Sequence, residues 1–171
     1  MGKYFGTDGY RGKANVTLKL ENAIKIGRYL GYYYGKDRHA KILIGKDTRQ
    51  SSSMYEMALA AGATASGANV YLLGVCPTPS VSHLVTKENF DCGIMVSASH
   101  NPYYDNGIKL FNGLGKKMDP EIEQAIEAYI DFAELAADSN GLVELPLHIN
   151  GENGFVTYTS DRLYVKVSVS K

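Results

Sequence analysis

Three short apolar runs, Lys41-Ile42-Leu43-Ile44-Gly45, Asn69-Val70-Tyr71-Leu72-Leu73-Gly74 and Cys92-Gly93-Ile94-Met95-Val96, each follow a stretch of helical periodicity. This alternation constrains the fold more than any other feature of the chain. Runs this short and this continuously apolar read as strands buried on both faces of a parallel sheet. The helical stretches supply the crossovers. The first runs from Leu18 to Tyr34, with Leu20, Ala23, Ile24, Ile26, Tyr29 and Leu30 at apolar positions, Thr17 as its cap and Gly35 as its stop. The second is capped within Ser51 to Ser53 and reaches Ser66, with Gly67 after it; a third spans Pro77 to Lys87. Gly107-Ile108-Lys109-Leu110-Phe111 alternates and reads as a fourth strand. Asp119 and Pro120 suit the Ncap and N1 of a last helix ending about Ile130.

The order predicts a three-layer α/β/α domain around a mixed, mostly parallel sheet, over residues 1–132. Residues 133–171 differ in character. They carry the turn signals Asp138-Ser139-Asn140-Gly141 and Asn150-Gly151-Glu152-Asn153-Gly154, then period-two alternation over Phe155–Thr159 and Leu163–Val169. The expectation there is a linker and a short β-hairpin-like tail. Leu163, Val165, Val167 and Val169 would share one face in need of a cover.

Eighteen basic residues balance eighteen acidic ones, so no net basic face recommends nucleic acid as a partner. No run approaches the length of a membrane span, and the N-terminus lacks a signal-peptide apolar stretch, so the expected location is the cytoplasm. Cys76 and Cys92 fit neither a disulfide framework nor zinc spacing and read as reduced thiols.

In open α/β sheets, ligands collect at the carboxyl ends of the strands. Four polar segments map to that edge. Ser97-Ala98-Ser99-His100-Asn101-Pro102 follows the third apolar run and presents a hydroxyl beside an imidazole. A serine needs activation to act as a nucleophile, and His100 is a candidate proton acceptor or orienting donor. Thr7-Asp8-Gly9-Tyr10-Arg11-Gly12 sets a guanidinium between glycines, a pattern suited to a forked phosphate contact. Gly45-Lys46-Asp47-Thr48-Arg49 adds two cations and a carboxylate, and Asp105-Asn106-Gly107-Ile108-Lys109 adds a lysine able to serve as general acid or base. Each segment alone is also an ordinary polar turn. Together they supply a hydroxyl, an imidazole, two arginines and two lysines, which suits a phosphorylated substrate. A serine hydrolase is disfavoured, because no Gly-x-Ser-x-Gly elbow surrounds the serine.

Phe5 to Gly12, Gly45 to Arg49, and the string Ser97 to Lys109, in this order and spacing, resemble the α-D-phosphohexomutases, most of all their hexosamine-phosphate branch. The resemblance covers about residues 4–131, the first of that family's four domains. It implies that Ser99 carries a phosphoryl group and passes it to a phosphosugar. It further implies that Lys109 is the general acid/base, that His100 and Arg11 assist at the phosphoryl, and that Asp47 and Arg49, with Lys46 and Asn101 beside them, support the loop. The family uses Mg2+, held partly by the phosphorylated serine. Its Asp-Gly-Asp-x-Asp metal loop is missing from this chain. The expectation is therefore a domain that binds the metal poorly and is inactive alone. A catalytically silent domain that self-associates through its tail and exposed surfaces is the alternative.

Overall fold

The computed structural model describes residues 2–138, 143–149, 152–159 and 162–169, with side chains over residues 2–132. Two compact units divide the chain, Met1–Ala128 and Tyr129–Lys171. The first unit contains β1 (Tyr10–Lys13), α1 (Leu20–Tyr34), β2 (Lys41–Lys46), α2 (Ser52–Ala65), β3 (Asn69–Val75), α3 (Thr78–Lys87), β4 (Cys92–Val96) and β5 (Asp105–Asn112). The helix α4 (Pro120–Asp138) begins in it and runs past its end.

The five strands form one sheet in the order β1-β5-β4-β2-β3. β2 is parallel to both β3 and β4, and β5 runs antiparallel to β4 and to β1. Four strands thus share one direction, as the crossover pattern predicts. β4 and most of β2 are fully buried, as their continuous apolar runs require. Leu43 and Met95 meet Val81 and Val85 of α3 on one face. On the other face Asn22 of α1 bonds Tyr10 of β1, and Ser51 and Ser52 at the start of α2 bond Asn106 of β5. These are the outer layers of the sandwich.

Four local expectations differ from the structure. Thr17 does not cap α1. Its Oγ1 accepts the Lys13 amide at 2.8 Å, closing a turn that delays the helix to Leu20. The Thr7–Gly12 segment is not only a turn, because Arg11 lies on β1, opposite Gly107. β3 is apolar but not buried: it forms the sheet's edge, with Tyr71, Leu72 and Val75 exposed. α4 continues to Asp138 rather than stopping near Ile130.

In the second unit β6 (Val143–Ile149), β7 (Glu152–Thr159) and β8 (Arg162–Val169) form an antiparallel sheet in that order. The expected hairpin is β7–β8, and β6 adds a third strand. The side chains of Leu163, Val165, Val167 and Val169 lie outside the described residues.

Candidate active site

Ser99 sits one turn beyond the buried end of β4, where Ser97 N–H bonds the Gly107 carbonyl at 2.8 Å. Its backbone is left-handed, with φ of 57°. A non-glycine residue holds that conformation only where its surroundings impose it, and such strain gathers at functional sites. The surroundings here are explicit. Ser97 Oγ accepts the Ser99 amide at 3.0 Å. Arg49 Nη2 donates to the carbonyls of Ser99 (2.9 Å) and Asn101 (2.8 Å). Its Nη1 donates to those of Pro102 and Asp105 (3.0 Å). One guanidinium thus gathers four carbonyls of the serine loop.

Asp47 holds that guanidinium in place. Its Oδ2 accepts from Arg49 Nε at 3.0 Å, and its Oδ1 accepts from the Arg49 amide (3.0 Å) and Ser52 Oγ (2.6 Å). Burial alone would raise the Asp47 pKa. The bonds from Ser52, the Arg49 backbone and Ser97, with the charge of Arg49, outweigh it and hold the carboxyl below its ordinary value.

Arg11 reaches toward both the serine loop and the β1 turn. Its Nη1 donates to Asn101 Oδ1 at 3.3 Å, and its Nη2 pairs with Asp8 at 3.2 Å. Asn101 in turn donates from Nδ2 to Asp105 at 3.1 Å. Gly107 makes room for Arg11, since a Cβ there would meet the Ser97 carbonyl and the Arg11 Cγ. His100 Nδ1 lies 3.5 Å from Ser99 Oγ, at the limit of a hydrogen bond, and both are exposed.

The predicted residues divide between two clefts. An open cavity of about 1020 Å³ is lined by Asp47, Arg49, Ser97, Ser99, Asn101 and Tyr104, among others. Lys109 instead lines a smaller cleft with Thr7, Asp8, Thr78, Lys117 and Glu123. Arg11 joins the two, bonding Asn101 of the first and Asp8 of the second. His100 and Lys46 line neither. The Lys46 ammonium turns to Glu56 and Ser53 of α2, because the Glu56 carboxylate, 2% exposed, needs a counter-charge.

Sequence reading missed Ser52, Ser97 and Asn106 as site residues. The serines at the start of α2 signalled a cap, and Asn106-Gly107 signalled a turn. Nothing local marks that Asn106 and Ser52 meet across 54 residues. Among the described residues no three His, Cys, Asp or Glu side chains gather to hold a metal ion. Nor, among the described residues, is any helix long and apolar enough to cross a membrane.

The family model for phosphoglucomutase/phosphomannomutase, alpha/beta/alpha domain I, matches residues 2–136. The chain is 67% identical over 131 residues to a phosphoglucosamine mutase of Lachnoclostridium phytofermentans, covering 77% of this chain and 29% of that protein. It is 64% identical over 134 residues to a phosphoglucosamine mutase of Lachnospira eligens, covering 77% and 30%. It thus spans about three tenths of the length of these curated relatives. A crystal structure of a phosphoglucomutase/phosphomannomutase family protein from Burkholderia thailandensis superposes with a TM-score of 0.64 at 27% identity, over 77% of this chain and 31% of that one.

Proposed function

Because the chain belongs to the phosphoglucomutase/phosphomannomutase family through that family's domain I, we propose that it supplies the phosphoryl-carrying serine of a phosphoglucosamine-type mutase. The observation that carries the reading is the strained Ser99, clamped by Arg49 and lining a wide, open cavity. In its phosphorylated form Ser99 meets a hexosamine monophosphate. A sugar hydroxyl attacks the phosphorus, the new sugar O–P bond forms as the Ser99 Oγ–P bond breaks, and the hydroxyl proton passes through Lys109 to the departing Ser99 Oγ. The resulting bisphosphate turns over. Ser99 Oγ gives its proton to Lys109 as it takes the other phosphoryl group, and the sugar oxygen left behind receives that proton. The two steps move a phosphoryl group between C6 and C1 without net hydrolysis.

The remaining residues support these transfers. A phosphoserine carries about −1.5 to −2 charges at neutral pH, so cations must face it. Arg11 stands ready to do so, since Asp8, its partner, is exposed and exchangeable with a phosphoryl oxygen. His100 orients or protonates the transferring oxygens. Asp47 and Arg49 hold the loop. Magnesium would meet the Ser99 phosphoryl oxygens with ligands from outside the described residues, as would the groups that read the sugar. Turnover by this chain alone is therefore not expected. Two reduced cysteines fit a cytoplasmic setting.

A chimera tests the reading. Residues 1–136 replace the matching segment of the Lachnoclostridium enzyme, and conversion of glucosamine 6-phosphate to its 1-phosphate is followed. Turnover that disappears on Ser99→Ala is the expected result. A folded chimera without turnover would leave the second reading, a silent domain that self-associates. The exposed apolar edge at β3 favours that alternative.

A further inference from the structure

Asn106 and Ser52 are both fully buried, and neither touches the cavity. Asn106 lies on β5 between Asp105 and Gly107. Because side chains alternate along a strand, it points away from the face that carries Arg11 and Lys109. A buried carboxamide must find partners for its oxygen and its two N–H groups. The Gly107 amide bonds one end of it at 2.8 Å. A backbone N–H only donates, so that end is Oδ1, and the other end is the donor Nδ2. Nδ2 gives one proton to Ser51 Oγ (2.8 Å) and one to Ser52 Oγ (3.0 Å).

This fixes the direction of the next bond. A serine hydroxyl has one proton, and Ser52 already receives one from Asn106. Its own proton goes to Asp47 Oδ1, at 2.6 Å. Asp47 then holds Arg49, and Arg49 holds the serine loop. Donors and acceptors match at every joint, from a buried strand to the strained residue at the cavity.

We infer that Asn106 and Ser52 are positioning residues for Ser99, acting through Asp47 and Arg49. The functional meaning rests on the reading of Ser99 as phosphoryl carrier; the brace itself rests on the bonds just described. Asn106→Asp is nearly isosteric but reverses the polarity. A carboxylate only accepts, so the Ser52 proton is drawn to it and lost to Asp47. Ser52→Ala removes the joint outright, and Ser52→Thr keeps a hydroxyl in its place.

The test uses the 171-residue chain without sugar or phosphoryl donor, so failure of Ser99 to take up a phosphoryl group does not affect it. NMR follows hydrogen exchange at Arg49 Nε–H and at the Ser99 amide, and the titration of the Asp47 carboxyl. Loss of one bond in the brace should speed both exchanges about tenfold and move the Asp47 titration upward, with the Leu43 amide of the core unchanged as control. Ser52→Thr should restore both. In the double variant, Asn106→Asp should add nothing to Ser52→Ala, since the two lie on one path. Should Asn106→Asp fail to fold, Ser52→Ala and Ser52→Thr decide alone. Unchanged exchange and titration in folded Ser52→Ala would overturn the inference. So would additive effects in the double variant.

Discussion

At the scale of single residues, strain and restraint meet at Ser99. Holding a non-glycine residue in the left-handed region costs roughly 1–3 kcal/mol, and the five bonds of Arg49 to Asp47 and the loop offset that cost. Two substitutions separate the hydroxyl from the backbone. Ser99→Ala and Ser99→Gly both remove the nucleophile, but only glycine accepts φ of 57° without strain. Ser99→Gly should therefore be more stable than Ser99→Ala by about 1 kcal/mol, read from urea midpoints, while the corresponding chimeras are equally inactive. Equal midpoints would mean that the loop relaxes in the absence of the hydroxyl.

Asp47 gives a prediction in pH. Its pKa is lowered by folding, so its contribution to stability is present above the ordinary carboxylate value of 3.8 and is lost as the pH falls through the folded value. Asp47→Asn lacks that dependence. The stability gap between wild type and Asp47→Asn should be widest near neutrality and close on acidification below the ordinary value. A gap that widens in acid would reverse the assigned direction of the shift.

At the scale of elements, the pairing of α1 with α2 rests on close backbone approach. A Cβ at Gly27 would run into the Leu59 carbonyl, and one at Gly62 into the Ile24 carbonyl. Alanine in a helix gains about 1 kcal/mol over glycine from propensity. Overpacking against an immovable carbonyl costs about 1–3 kcal/mol, so the clash should win. Gly27→Ala is expected to destabilise the first unit in urea unfolding; a stabilised variant would show that the helices can part without penalty.

The same scale shows what the sequence could reveal. Helix α2 was legible from its serines, its Ala- and Met-rich body and the glycine after it, and strands β2 and β4 from their continuous apolar runs, all of them local signals. The Ser99 loop was legible because its polar residues are contiguous after a strand. Burial of β3 was not, since whether an apolar strand lies inside a sheet or at its edge depends on strand order. Strand β1 has only four residues, and a partner 98 positions away in sequence turns it from a loop into a strand. Lys46 stands beside Asp47 and Arg49 in sequence, but its ammonium pairs with a buried glutamate ten residues on. The edge position of β3 and the pairing of β1 depend on residues far apart in sequence, and local pattern carries no trace of them.

At the scale of the whole molecule, the edge at β3 makes the two functional readings separable. Leu72 is 48% exposed and Val75 62%, on a strand with one side unpaired. Edge strands are commonly guarded by charge or proline against pairing with another copy, and Asn69–Val75 carries neither. If the chain is a silent self-associating domain, this edge is where two copies would add strand to strand. Leu72→Lys places a charge there without touching Ser99, Arg49 or Asp47. Sedimentation of the wild-type chain as a dimer, and of Leu72→Lys as a monomer, would identify the edge as the contact. Turnover by the Leu72→Lys chimera would then show that association and catalysis are independent. A wild-type monomer at all accessible concentrations would count against the self-associating reading and leave the mutase reading to the Ser99 chimera.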